Sequence, residues 1–213
     1  MPFETNPQIV ELYETIIPIR EVVKRMGYPN DAAVPDPIRT ILNDALSVAS
    51  RLMKPRAVYR ICPIVSNDEN RIVFQNTDFI LQSRQVARLL RDSRAVVFLA
   101  ATVGIELDRE ITSQMDRGDA TEGFMLDSIG SETVEAAVDM LHWEILRKQI
   151  EKSRFSVTPR FSPGYGDWPL TVQKDLLGLC GASLIGVSVT PSSLMIPRKS
   201  VSAVLGIQLF NKI

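Results

Sequence analysis

Apolar and polar positions along the first third of the chain alternate at spacings typical of helices. Residues 8–26 carry apolar side chains at helical spacing, with Pro18 among them, which predicts a helix or a broken helix near the start. A second apolar stripe from Ile38 to Leu52 predicts another helix. Asp36 is its expected N-cap and Pro37 its expected first helical residue.

The middle of the chain changes to strand-like patterns. The runs "RAVYRICPIV" and "RIVFQ" are rich in β-branched residues and are separated by "SNDEN", so they predict a hairpin from about Arg56 to Gln75. Ser83 is the expected cap of a short helix. The nearly continuous apolar run "AVVFLAATVG" predicts a buried strand, followed by a helix from about residue 106 to 115.

The second half begins with a long helical pattern from Asp119 to about Lys152. A shorter helix is predicted over about residues 170–179, with Gly181 ending it. The runs "ASLIGVSVT", "SSLMIP" and "SVSAVLGIQLF" then resemble strands. Because helices and strands follow in mixed order, without a regular βαβ series, the pattern favours an α+β fold.

Composition narrows the classes of function. The chain has 213 residues, is 45% hydrophobic and has a formal net charge of −1, so it can bury a core and lacks the basic surface of a nucleic-acid binder. No secretion signal and no apolar run of about 18 residues is present, so we expect a cytoplasmic protein without a membrane span. Cys62 and Cys180 lie far apart in apolar contexts, which favours buried thiols.

Candidate chemistry appears first on the long helix. Glu135, Asp139 and His142 share one face beside the apolar stripe. Three ligands on one helix rarely complete a metal's coordination sphere, so a solvated or hydrogen-bonded face is favoured over a metal site. Because Glu135 borders the buried stripe, a role in contacting a ligand stays open.

The loop "RFSPGYGDWP" is the second candidate. Arg160 offers a planar set of donors suited to a carboxylate or phosphate, and neighbouring prolines stiffen the backbone. Gly164 allows a close approach or a positive φ, and Tyr165 offers an aromatic face. These residues predict a rigid anion-binding turn, with a surface turn holding a salt-bridged arginine as the alternative. Trp168 is expected to pack against the following helix, and Asp167 has no predicted role.

The same loop resembles the activation domain of cobalamin-dependent methionine synthase. That family binds S-adenosylmethionine through an R-x-x-x-G-Y motif, which Arg160-Phe-Ser-Pro-Gly164-Tyr165 matches. The segments "IGVSVTPSSLMIPRKSVSA" and "EAAVDMLH" are also similar to family segments. The resemblance is strong over residues 120–207 and faint over 1–119. It implies one unit over 1–213, a mostly antiparallel twisted sheet with flanking helices.

The resemblance also implies roles for single residues toward S-adenosylmethionine. Arg160 would pair with the methionyl carboxylate, and Glu135 would accept hydrogen bonds from the ammonium. The backbone of Ser162 would meet the adenine, and Gly164 would allow that approach. Tyr165 would lie near the sulfonium or the corrin face. No catalytic side chain and no metal ligand is implied.

The implied activity is reactivation of a partner. A free-standing activation subunit would support reductive methylation of cob(II)alamin on a separate cobalamin-bearing methionine synthase core, with a flavodoxin-like electron donor. The chain lacks the family's Asp-x-His-x-x-Gly corrinoid motif, and Ala203-Val204-Leu205 stands where the family often has tyrosines.

Two other functions are alternatives to this one. The first is a non-catalytic S-adenosylmethionine-binding or interaction module for another corrinoid protein. The second is a small-molecule methyltransferase, which is disfavoured because no glycine-rich nucleotide loop follows a first strand.

Overall fold

Helices pack on both faces of a curled antiparallel sheet in the computed structural model, which describes residues 5–12, 17–152 and 155–209. The strands are β1 (Gln8–Glu11), β2 (Arg56–Asp68), β3 (Arg71–Phe74), β4 (Ile80–Gln82), β5 (Ser93–Thr102), β6 (Phe155–Val157), β7 (Ser188–Val189), β8 (Met195–Ile196) and β9 (Ser200–Leu209). The helices are α1 (Ile19–Arg25), α2 (Asp36–Leu52), α3 (Arg84–Leu89), α4 (Ile105–Asp116), α5 (Ala120–Lys152) and α6 (Gln173–Cys180). This arrangement confirms the predicted α+β class.

The sheet is ordered β4-β3-β2-β5-β9-β6, with β1 paired to the first part of β2. Each of these neighbouring pairs is antiparallel. β5 lies between β2 and β9 and is buried along nearly its whole length, which explains its continuous apolar sequence. β7 and β8 form a separate small hairpin just before β9.

The two faces of the sheet are covered by different helices. Alternate residues of β2, β5 and β9 pack on one side against the second half of α5, and the others pack against α6 and Trp168. The predicted stripe of α5 is buried as expected: Val134, Ala137, Val138, Leu141 and Ile145. The first half of α5 joins α1, α2 and α4 in a third apolar cluster. α5 therefore connects the helical part of the molecule to the sheet.

A partly buried ion pair fixes the residue before β9 to α5. The Lys199 ammonium lies 2.6 Å from the Asp127 carboxylate and 2.9 Å from the Ser131 hydroxyl. Gly130 lies between these two α5 residues, and a Cβ there would fall 2.5 Å from the Leu107 side chain. The glycine thus lets α4, α5 and the start of β9 approach closely.

The prediction for the first residues was wrong in part. Residues 19–25 form α1, but residues 8–11 form strand β1 and not a helix. The strand forms because it pairs with β2, from Gln8 opposite Tyr59 to Glu11 opposite Arg56. Residues 13–16, also within the predicted helix, lie outside the described residues.

The predicted start of α2 was wrong by one residue. Asp36 is the first helical residue, and the N-cap is Pro35, which makes no side-chain capping bond. Ser83, by contrast, caps α3 as predicted, because its hydroxyl accepts a hydrogen bond from the Val86 N–H at 3.0 Å.

Strand predictions near the C-terminus were partly wrong. The first half of "ASLIGVSVT" forms a 3₁₀ turn at Ala182–Ile185, and only Ser188–Val189 is a strand. Gly181 ends α6 in a left-handed conformation as predicted. β6, which the sequence pattern did not predict, pairs with the end of β9.

Both cysteines are buried free thiols, as predicted. Burial raises the pKa of Cys180 to about 12 and also raises that of Cys62, so both thiols stay protonated at neutral pH. Within the described residues, no helix is long and apolar enough to cross a membrane.

Candidate functional site

A cavity of about 420 Å³ lies where α5, the β6–α6 loop and the approach to β9 meet. Its walls come from Glu135 on α5, from residues within 162–173, and from residues within 193–202. The walls combine charged, hydroxyl and amide groups with apolar side chains, which suits a small amphipathic ligand. A hollow of about 530 Å³ around residues 91–94 and 208–209 contains none of the predicted site residues.

Backbone hydrogen bonds hold the loop that forms one wall. Phe161 and Val204 exchange two N–H to C=O bonds of 2.9 Å, which fixes the loop to β9. The Gly164 N–H then donates to the Trp168 carbonyl at 2.8 Å, and the Trp168 N–H donates to the Tyr165 carbonyl at 3.0 Å. Gly164 has φ +90°, so the turn requires the residue without a Cβ. The loop is a fixed wall, as its prolines and glycine predicted.

Arg160 makes an ion pair with two acids of α5. Its Nη2 lies 2.8 Å from Asp139 Oδ1 and 3.3 Å from Glu135 Oε2. Glu135 lines the cavity, whereas Arg160 is not part of the lining and reaches the cavity edge through its contact with Glu135. Both contacts use Nη2. Among the described residues, the Nε and Nη1 hydrogens have no other partner, so they are available to an anion.

The structure brings four predicted residues to the cavity or its edge. Glu135, Ser162 and Tyr165 line it, although Glu135 is far from the other two in sequence. Arg160 joins them through Glu135. The Tyr165 side chain is 70% exposed, so its ring faces outward at the mouth.

Gly164 is placed differently from the lining residues. It lies within the turn, and a Cβ there would meet Leu170 Cδ1 at 3.4 Å. Leu170 itself lines the cavity. Gly164 therefore shapes the wall through its backbone conformation.

His142 lies on α5 beyond Asp139 and is half-buried. Burial lowers its pKa, the Arg160 charge lowers it further, and Asp139 opposes both effects. The imidazole is therefore neutral at neutral pH. In the described ranges, histidine, cysteine and acidic side chains form no cluster suited to a metal ion.

Sequence reasoning missed two buried polar residues in the cavity wall. Gln173, at the start of α6, is 2% exposed, and Ser202 on β9 is 3% exposed. The Gln173 Nε2 donates to Ser202 Oγ at 2.8 Å. The signal for Ser202 was present, because Ser200 and Ser202 put two hydroxyls on one face of a mostly apolar strand. Nothing in the helical pattern distinguishes Gln173.

The sequence pattern also gave no indication of Arg198, a cation that lines the cavity. Its backbone N–H donates to the carboxylate of Asp108, which is only 6% exposed. Asp108 therefore anchors the segment before β9 to α4. The other Asp108 oxygen has no hydrogen-bond partner among the described residues.

Comparison with solved structures finds the same arrangement of elements in a known domain. The chain superposes on "Crystal Structure of the MetH Reactivation Domain bound to AdoHcy" with a TM-score of 0.72, covering 98% of this chain and 80% of that chain. The fold is that of the MetH reactivation domain. Sequence identity over this match is 16%. The fold suggested by the loop motif is therefore confirmed.

The other comparisons add no relatives. No protein-family model and no curated protein matches the chain. The likeness to the MetH reactivation domain is consequently one of fold, and the cavity residues carry the functional argument.

Proposed function

We propose that this chain is an S-adenosylmethionine-binding activation subunit, which supports reductive methylation of cob(II)alamin on a separate methionine synthase core. The observation that carries the proposal is the meeting of Glu135, Ser162 and Tyr165 around one cavity, with Arg160 paired to Glu135 at its edge. These are the residues that the motif resemblance selects for the ligand. The fold match to a MetH reactivation domain that binds AdoHcy supports the same proposal.

Opposite charges at the cavity edge suit the amino-acid end of S-adenosylmethionine. Glu135 accepts hydrogen bonds from the ligand's ammonium, and its side chain is 53% exposed and so accessible. Arg160 binds the carboxylate through the hydrogens that its ion pair leaves available. Each charge-assisted hydrogen bond contributes about 1.5 to 3 kcal/mol, so losing one weakens binding roughly 10- to 150-fold.

The remaining predicted residues position the rest of the ligand. The Ser162 backbone meets the adenine, while the turn at Gly164 brings the main chain close. Tyr165 places its exposed ring at the mouth, where its face attracts the sulfonium cation. The same mouth would face the corrin of the partner core, so the methyl group lies between the two proteins.

S-adenosylmethionine supplies the methyl group, and this chain's residues only bind and orient it. Cob(II)alamin on the partner core gains one electron from a flavodoxin-like donor and then the methyl group. S-adenosylhomocysteine leaves as the product. The reaction therefore needs no nucleophile or general base from this chain.

Reconstitution tests the activity. The purified chain is mixed without oxygen with a cob(II)alamin-loaded methionine synthase core, S-adenosylmethionine and reduced flavodoxin. The absorption spectrum of methylated cobalamin should appear only when the chain is present. An identical spectrum without the chain would reject activation. Ligand binding without any activation would instead favour a non-catalytic S-adenosylmethionine-binding module.

Calorimetry tests the site separately. Arg160→Gln should weaken binding of S-adenosylhomocysteine roughly 10- to 150-fold. Arg91→Gln, an exposed arginine at the other hollow, is the matched control and should bind like wild type. Equal affinities for Arg160→Gln and wild type would remove Arg160 from the site.

A further inference from the structure

Gln173 and Ser202 form a buried hydrogen-bonded pair in the cavity wall that the proposed contacts leave unused. They come from different elements, the first turn of α6 and the middle of β9. Both are more than nine-tenths buried, yet both line the cavity. Because buried polar groups are normally hydrogen-bonded, the remaining donors and acceptors of the pair need partners.

Counting these donors and acceptors shows what the pair offers a ligand. A glutamine amide carries two N–H hydrogens and one carbonyl oxygen. One N–H goes to Ser202 Oγ, and within the described residues the second N–H and the carbonyl oxygen of Gln173 have no hydrogen-bond partner. Ser202 accepts that bond and so keeps its own hydroxyl hydrogen for donation. The neighbouring Ser200 differs, since its hydroxyl already contacts Thr102 Oγ1 and the Pro197 carbonyl at 3.0 and 2.7 Å.

The distribution of charge fixes which end of the ligand meets this pair. Glu135 and Arg198 line the cavity and are exposed to solvent, so the charged groups lie at the rim. Gln173 and Ser202 are neutral and shielded from solvent, so they form the floor. A zwitterion leaves its charged end at the solvated rim, because burying an ion without a counter-charge is costly. The neutral end of the ligand therefore reaches the floor.

The apolar side chains of the cavity favour a flat ring. Leu170, Met195 and Val201 line the same cavity. Of the neutral parts of S-adenosylmethionine, adenine has both a ring that such side chains can contact and a polar edge. That edge carries amino hydrogens beside a ring-nitrogen acceptor, which a glutamine amide can pair with at both of its ends.

We propose that Gln173, held in orientation by Ser202, recognises the adenine edge through its free N–H and carbonyl oxygen. This inference rests on the proposed function and names a specificity residue for the same ligand. In this arrangement Gln173 Oε1 accepts a hydrogen bond from the 6-amino group of the base. The protein should therefore distinguish ligands by the presence of that group.

Two ligands test the inference in calorimetric titrations: S-adenosylhomocysteine and its purine analogue, which has hydrogen in place of the 6-amino group. Wild type should bind the analogue roughly 5- to 150-fold more weakly, because the analogue leaves a buried carbonyl unpaired. In Gln173→Met the ratio of the two dissociation constants, analogue to S-adenosylhomocysteine, should fall to about one. The ratio is measured on one preparation, so partial unfolding of a variant does not change it.

Two further variants complete the experiment. Ser202→Ala should lower the ratio less than Gln173→Met, because it removes only the partner that orients the amide. Lys174→Met changes the exposed neighbour on the same helix and should keep the wild-type ratio.

The outcomes separate the inference from the proposed function. If wild type binds neither ligand, the proposed function fails. If wild type binds S-adenosylhomocysteine but Gln173→Met keeps the wild-type ratio, only the inference is overturned. The adenine assignment would also be overturned if Gln173→Met still distinguished ligands by the 6-amino group but no longer distinguished S-adenosylhomocysteine from a 2′-deoxyribose analogue.

Discussion

The loop between β6 and α6 has two halves with different roles, one facing the cavity and one anchoring the loop. Its first half, residues 160–165, exposes the Tyr165 ring and brings Arg160 to the acids of α5. Its second half holds Trp168, which is 1% exposed and lies in the same apolar cluster as Leu176 and Leu177 of α6. Arg160 and Tyr165, which can contact a ligand, are thus close in sequence to Trp168, which packs in the core.

Asp167 belongs with the structural half, although it is exposed. Its carboxylate accepts hydrogen bonds from the Ser83 hydroxyl, from the Arg84 N–H at 2.7 Å and from the Gln85 N–H at 3.3 Å. These donors lie at the N-terminus of α3, where backbone N–H groups have no helical partner. Asp167 therefore ties the loop to a helix 80 or so residues earlier in the chain.

The difference between the halves shows how the loop keeps its shape without burying its binding groups. Two backbone bonds connect Trp168 to Gly164 and Tyr165 across the turn. The anchored half therefore determines where the cavity-facing half lies. Mutations in the two halves should separate stability from ligand affinity.

The largest effect is expected for Trp168→Ala. Removing a fully buried tryptophan should lower the free energy of unfolding by about 3 to 5 kcal/mol, because it leaves a cavity beside α6. Urea unfolding followed by circular dichroism measures the change. The paired variant Tyr165→Ala removes an exposed ring and should change stability by less than about 0.5 kcal/mol, while weakening binding of S-adenosylhomocysteine. Similar stability losses in both variants would contradict the division into halves.

Local patterns predicted most of the elements that surround this loop. The Ser83 cap, the buried run of β5 and the stripe on α5 each depend on residues close together in sequence. The loop's own stiffness was also readable from its prolines and glycine. Trp168 was correctly expected to pack against the following helix.

Features that depend on distant partners were not predictable in the same way. β1 is a strand because β2 is beside it, and its own four residues do not decide this. In the sequence, Asp167 is an ordinary acidic residue of a loop, and its contact with α3 follows only from the tertiary structure. The pairing of Arg160 with Asp139 and the position of Gln173 in the cavity likewise follow from tertiary packing.

An intermediate effect is expected for Gly164→Ala. Its φ of +90° is a left-handed conformation, so an alanine there should cost about 1 to 2 kcal/mol of stability. The strained turn should also shift the cavity wall and weaken binding of S-adenosylhomocysteine. Gly186→Ala is the matched control, because Gly186 has φ +77° with open space around its Cβ position and does not line the cavity. It should lose similar stability and keep wild-type affinity, and a loss of affinity equal to that of Gly164→Ala would contradict the assignment.

The smallest effect is expected for Asp167→Asn, and it should depend on pH. The hydrogen bond from Ser83 is the main cause that lowers the pKa of Asp167, followed by the N–H groups of Arg84 and Gln85. A carboxyl whose pKa is lowered by folding stabilises the protein above its unfolded pKa, and this contribution disappears as pH falls through the folded pKa.

Wild type should therefore be more stable than Asp167→Asn at neutral pH. The difference should begin to shrink below about pH 4, where the carboxyl of the unfolded chain takes up a proton, and should disappear once the folded carboxyl is protonated as well. Urea midpoints measured from pH 7 to pH 3 check this. Asp44→Asn, at an exposed position of α2, controls for the loss of one negative charge and should show no such convergence. A difference in urea midpoint between wild type and Asp167→Asn that stays constant across this range would contradict the prediction. It would mean that the charge of the Asp167 carboxylate contributes nothing to holding the loop against α3.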